Sequence, residues 1–191
     1  MKRLIGLAAA AAIVVGGFVY LKSAAGGFSA RAKPTAAERV VARLVRHLAI
    51  PADARAMRNP VPVSDEALAE ARAHFADHCA ICHDNDGSGQ TMIGQGLYPK
   101  PPDLRARETQ QLSDGELYWI IENGVRLTGM PAFGTGTPDD LDTWTLVHLI
   151  RRLEQLTPTQ LKEMEALNPK SPTEIEEERE DEQFLKGNDR Q

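Results

Sequence analysis

The chain is poor in cysteine, in aromatic side chains and in positive charge. Its 191 residues hold 2 cysteines, both inside the stretch "HCAICHDNDGSG", so no disulfide framework is available and distant parts of the fold cannot be stapled. Aromatic residues make up 5%, lean for a core built from side chains alone. The formal net charge is −5, where a nucleic-acid binder would show a basic patch or balance. Much of the acidity sits in "PTEIEEEREDEQFLKGNDRQ", which leaves the middle of the chain nearer neutral. No Ser/His/Asp set and no paired carboxylates point to hydrolysis, so an enzyme is not expected. "DNDGSG" does not fit a calcium loop: aligning Gly87 with the invariant glycine puts Cys82 and Ile93 at the first and last ligand positions. "GSGQTMIGQG" lacks the Gly-Lys-Ser/Thr ending of a phosphate cradle. There is no internal repeat and no strand-like alternation.

One long apolar run is present. Lys2 and Arg3 precede an uncharged stretch from Leu4 to Leu21, which as a helix is ~27 Å long, close to the ~30 Å hydrocarbon thickness of a bilayer. A secretory signal has a shorter core and a nearby small-residue cleavage site. The nearest such site, Ala30-Arg31-Ala32, lies well beyond the run. A retained transmembrane anchor is therefore favoured over a cleaved signal. The positive residues would stay inside, which exports the remainder. The expected location is the inner membrane, crossed once, with the rest of the chain in the periplasm.

The remainder reads as helices and loops, an all-α class. Residues 1–22 are the anchor or signal segment, and 23–63 a linker with one amphipathic helix. Residues 64–156 are the main domain, and 157–191 an acidic tail, helical or disordered. In the linker, Thr35 and Glu38 form a capping box ahead of Val41, Leu44, Val45 and Leu48 at helical spacing. That stripe is expected to pack on the domain, with Arg39, Arg43, Arg46 and His47 solvated; the sharper alternative puts the basic face on anionic lipid. Ser64 caps the next helix, which runs into the cysteines. Residues 84–111 read as mostly loop. Ser113 and Glu116 cap a middle helix that stops at Gly124. Thr137 and Pro138 start a long helix containing Trp144.

Cys79-x-x-Cys82-His83 is the signature of covalent haem attachment. Helical positions three apart share one side, so both thiols can reach the vinyl groups of one porphyrin while His83 turns to the iron. A zinc site would have to recruit His78 and His148, for there is no second Cys-x-x-Cys. A thioredoxin-type pair would follow a strand, and a local disulfide would leave His83 unused. The haem would also compensate for the few aromatics. The glycines after His83 would let the chain turn past the porphyrin edge.

The sixth iron position decides between chemistry and electron transfer. Met130, in "RLTGMPAFG", lies in a loop between two helices and is the favoured ligand. Met1, Met57, Met92 and Met164 are poorly placed, and His148 is the runner-up. His47, His74 and His78 read as surface or packing residues.

With "CAICH", "PPDL", "IENGVRLTGMPAFG" and a closing helix carrying Trp144 in this order, the block from about Ser64 to Leu156 resembles a class I monohaem cytochrome c. The resemblance implies a small helical domain packed around one haem c, covalent through Cys79 and Cys82, with His83 and Met130 on the iron. It implies that the Pro102 carbonyl accepts the Nδ1–H of His83 and that Leu104 lines the haem wall. Ala71 stands where the family often has glycine, which predicts a slightly wider crossing of the first and last helices. Tyr98, Arg105, Trp119 and Arg126 are candidates for the propionates. The expected function is a membrane-tethered, periplasm-facing electron carrier, with lipid as one partner through the N-terminal helix. Its redox partners would be a quinol-oxidising complex or dehydrogenase as donor, and an oxidase or reductase as acceptor. The alternatives are a haem subunit of a larger oxidase, reductase or dehydrogenase, or a gas- or peroxide-reactive haem protein. The acidic tail reads as solvated, with steering toward a basic partner as the alternative.

Overall fold

The computed structural model describes residues 2–25, 29–136 and 140–188. The described residues are helical, with no strand among them. In chain order the helices are α1 (Lys2–Ala25), α2 (Ala36–Ala49), α3 (Ala52–Ala56), α4 (Asp65–His74), α5 (Ala80–His83), α6 (Met92–Gly96), α7 (Arg107–Gln110), α8 (Asp114–Asn123), α9 (Leu141–Ile150), α10 (Pro158–Glu165) and α11 (Pro172–Asn188). A π turn (Phe75–Cys79) joins α4 to α5, and a 3₁₀ turn (Leu153–Gln155) lies just after α9.

Local chemistry sets most of these boundaries. Thr35 with Glu38 and Ser113 with Glu116 form the expected two-way exchange between cap and third residue, and Thr157 with Gln160 forms a third. Gly124 ends α8 with φ 64° and ψ −170°, a region that is essentially glycine-only. The expected cap at Thr137 and Pro138 lies outside the described residues. The described α9 begins at Leu141, where the Asp140 side chain accepts from the Thr143 N–H. Two short helices, α6 and α7, interrupt the expected loop after His83.

The core gathers on the inner faces of α4, α8 and α9. Ala71 is fully buried, Trp144 is 1% exposed, and Tyr118 stacks on Trp144 with ring centroids 4.1 Å apart. The packed body is wider than residues 64–156. Ile50 is 1% exposed ahead of it. At Gly115 a Cβ would run into the Ala54 carbonyl, which is how closely α3 lies on α8. Asn59 donates to the Trp144 carbonyl at 2.8 Å, and Ser113 Oγ to the Arg55 carbonyl at 2.9 Å. Beyond the other end, Met164 of α10 is fully buried in the same cluster, although its helix reads as polar.

The structure bears on two expectations about the N-terminal part. Among the described residues no helix is long and apolar enough to cross a membrane. α1 has 24 residues, and residues 5–20 along it are exposed. The second concerns α2, which does not pack by its apolar stripe. Val41, Leu44, Val45 and Leu48 are 58%, 56%, 57% and 71% exposed, and the polar side turns to the domain instead. Arg43 Nη2 lies 3.6 Å from Glu108 Oε1, His47 Nδ1 lies 3.7 Å from Glu116 Oε1, and Tyr98 Oη donates to Glu38 Oε1 at 3.0 Å. Periodicity marks a face as apolar without saying what covers it.

Candidate functional site

Cys79, Cys82 and His83 occupy the end of one continuous helical run. Ser64 opens it by accepting from the Ala67 N–H, and Asp65 and Glu66 sit in its first turn, where carboxylates favour the helix dipole. The run then widens: the Ala80 N–H bonds the Phe75 carbonyl, five residues back. Such π turns recur at functional sites because one extra residue re-aims the side chains beyond it. Phe75, Ala76 and Ala80 are buried, which holds the backbone of the two cysteines against the core. The run ends at Asp84, with φ 65°.

The electrostatics of the three side chains agree. Burial pushes the Cys79 thiol up to about 12, with Cys82 beside it adding to the effect, and burial also raises Cys82. Both therefore stay protonated near neutral pH, the reverse of the activated thiolate that a redox or zinc site uses. Among the described residues no group of three or more His, Cys, Asp or Glu is arranged to hold a metal ion. Burial lowers the His83 pKa, opposed by the Pro102 backbone, so the imidazole is neutral and has a lone pair to offer. Its Nδ1 is sealed from solvent without a partner at hydrogen-bonding geometry. Two neutral thiols and a neutral imidazole at one helix end fit covalent haem with histidine ligation, with the buried Nδ1 left on the side of the Pro102 backbone.

The segment after His83 is tied down along its length. Gly89 N–H donates to the His83 carbonyl at 2.7 Å, and Leu104 N–H to the Gly87 carbonyl at 2.8 Å. Thr91 Oγ1 donates to the Ile81 carbonyl at 2.8 Å. Gly87 has φ 78°, and a Cβ there would overlap Leu153 Cδ1. This glycine therefore lets the loop close onto Leu153 and Leu104. Leu104 is 8% exposed.

Met130 hangs from the end of α8. Its carbonyl accepts from the Val125 N–H at 3.1 Å, its N–H donates to Thr128 Oγ1 at 3.1 Å, and Phe133 N–H donates to the Ile121 carbonyl at 3.1 Å. Partly buried, Met130 packs against the same core cluster as Cys79. The other methionines are placed differently: Met92 is 90% exposed, Met164 is sealed inside the cluster, and Met57 packs on it beside Gly115. His148 is committed, its Nε2 lying 2.7 Å from the Val61 carbonyl. His47 faces Glu116, while His74 and His78 meet edge to face at 4.9 Å. Among the propionate candidates, Tyr98 bonds Glu38, and Arg105 is held by Asp103 and Asp86 at 2.9 and 2.8 Å. That leaves half-buried Trp119 and exposed Arg126.

Sequence reasoning missed a carboxyl pair under the Met130 loop. Glu122 is 7% exposed and its Oε1 is buried without a partner. Burial raises its pKa against a bond from Thr143, and Asp140 raises it further. Burial also acts to raise Asp140, but the backbone N–H groups of Thr143 and Thr135, at 3.0 and 3.2 Å, outweigh it and the pKa is lowered. Gly134 lies so close to the Glu122 carboxyl that a Cβ would overlap it. Neither acid stands in a recognisable motif.

Residues 66–150, less than half of the chain, match the family model described as cytochrome c oxidase, cbb3-type, subunit III. No curated protein matches the chain.

Proposed function

We propose that this chain, whose residues 66–150 are a monohaem c-type cytochrome domain with covalently bound haem c, carries single electrons between redox proteins and performs no bond chemistry of its own. Haem c supplies a one-electron ferric–ferrous couple. In this reading Cys79 and Cys82 would hold the haem as thioether donors, and His83 and Met130 would be the iron's protein ligands. The Pro102 carbonyl would orient the His83 ring, and Leu104 would form part of the pocket wall. With both protein ligands bound no place would be left open for a substrate, and the Met130 thioether would favour a higher potential than a second histidine. The observation that carries the reading is the placement of Met130 against the same core cluster as Cys79. Met57 packs on that cluster too but lies beside Gly115 of α8, Met164 is sealed inside it, and Met92 is 90% exposed.

The chain is further proposed to be tethered to the inner membrane by α1, with the haem domain facing the periplasm. Support comes from Lys2 and Arg3 ahead of an uncharged run from Leu4 to Leu21. The matched family description favours a second reading, a haem subunit feeding electrons within an oxidase. The free carrier would meet a quinol-oxidising complex or dehydrogenase on one side and an oxidase or reductase on the other.

Visible spectra of the full chain, made with haem-attachment machinery and held in detergent, test the site. A sharp reduced c-type spectrum, no response to carbon monoxide, and a thioether–iron band lost in Met130→Ala are expected. A high-spin spectrum that shifts with carbon monoxide would overturn the carrier reading. Co-purification of an oxidase would select the subunit reading.

A further inference from the structure

We propose that α2 is an in-plane membrane helix whose exposed apolar face lies on lipid and fixes the orientation of the haem domain to the bilayer. Val40, Val41, Leu44, Val45 and Leu48 form one stripe at helical spacing, each more than half exposed, and α2 buries no residue. A stripe of this kind on a small soluble domain normally has a partner.

The opposite side of the helix is already occupied, and it sets the direction of the stripe. Arg43 pairs with Glu108, His47 with Glu116, and Glu38 with Tyr98, while Arg55 Nη1 donates to the His47 carbonyl at 2.8 Å. Half-buried Arg46 and fully enclosed Ile50 secure the C-terminal end. The apolar face therefore points away from the domain and turns with it as one piece.

Two observations select lipid as the occupant. Only residues 26–35 separate α1 from α2, a link that spans at most ~35 Å. The proposal rests on the tether reading for this proximity. Charge complements it, because Arg31, Lys33 and Arg39 precede or open α2, and an interfacial helix combines an apolar face with cations that meet anionic headgroups.

The test uses full-length holoprotein with Leu44→Cys or, separately, Val41→Cys, each carrying an environment-sensitive fluorophore. The native thiols are consumed in the thioethers, so the label goes to one place. The protein is mixed with phosphatidylglycerol–phosphatidylcholine vesicles bearing brominated acyl chains, and Glu70→Cys, at an exposed position of α4, is the aqueous control. The expected result is a blue shift and bromolipid quenching at 41 and 44 but not at 70. In the Leu44→Glu/Leu48→Glu background the label at 41 should lose its quenching with the haem spectrum unchanged. Flotation without quenching at 41 and 44 would overturn the proposal and leave the tether. Quenching in the native background with flotation abolished by the double glutamate change would support α2 and remove the tether. No flotation of any form would overturn both. A blue shift that grows with protein concentration in the absence of lipid would give the face to a second copy of the chain and overturn the lipid assignment.

Discussion

The two loops that carry the proposed iron ligands are built differently. The segment after His83 is bound back onto its own helix: Gly89 to His83, Gly87 to Asp84, Thr91 to Ile81, and Leu104 to Gly87, at 2.7 to 3.0 Å. The segment carrying Met130 is held at its root, where the Val125 N–H just past α8 donates to Met130 and the Ile121 and Glu122 carbonyls accept from Phe133 and Gly134, above a carboxyl pair with one unsatisfied oxygen. The histidine side is thus a rigid continuation of a helix, and the methionine side a loop hung from one. Damage to the first should cost the cofactor. Damage to the second should cost ligation or its pH behaviour while the cofactor stays.

The largest effect is expected on the histidine side. Cys79→Ser and Cys82→Ser each leave one thioether, whereas the double variant leaves none and should show no covalently bound haem on a denaturing gel. Covalent haem in the double variant would break the assignment of these thiols. Next comes Gly124→Ala at the root of the methionine loop. Its φ of 64° sits in a glycine-only region and a Cβ would overlap Pro131 and Ala132, so a loss of about 2–3 kcal/mol is expected from strain and overpacking. Haem should remain attached while the thioether–iron band weakens. If the variant melts like the native protein with the band intact, the two loops are not distinguished in this way.

Much of this architecture is legible in the amino-acid order wherever a local interaction decides it. Thr35, Ser64, Ser113 and Thr157 announce helix starts because a side-chain oxygen meets an N–H within its own first turn. Cys79, Cys82 and His83 announce the cofactor because its chemistry demands that spacing. What long-range contacts decide was not legible. Burial of Met164 depends on α10 closing over the core, and nothing in "TPTQLKEMEAL" marks one methionine as internal. The π turn at Phe75–Cys79 is a change of hydrogen-bond register without a residue signature. The facing of α2 depends on Glu108 and Glu116, far along the chain.

The smallest effect concerns the carboxyl pair and is read through pH. Burial holds the Glu122 pKa above the ordinary carboxyl value, with Asp140 adding to it against a bond from Thr143. In the unfolded chain Glu122 ionises at the ordinary value, so the folded protein binds more protons between the two. Its stabilising contribution is complete below the unfolded value and is lost as pH rises through the folded one. Asp140, lowered despite burial, contributes in the other sense: its stability is present above the ordinary value and lost as pH falls. Glu122→Gln keeps the neutral shape and removes only the first dependence. The stability of the variant minus that of the native holoprotein, from denaturant melts across acid to neutral pH, should rise with pH and then level. A difference that is flat with pH would mean that Glu122 titrates as freely folded as unfolded, and the methionine loop would then rest on its backbone bonds alone.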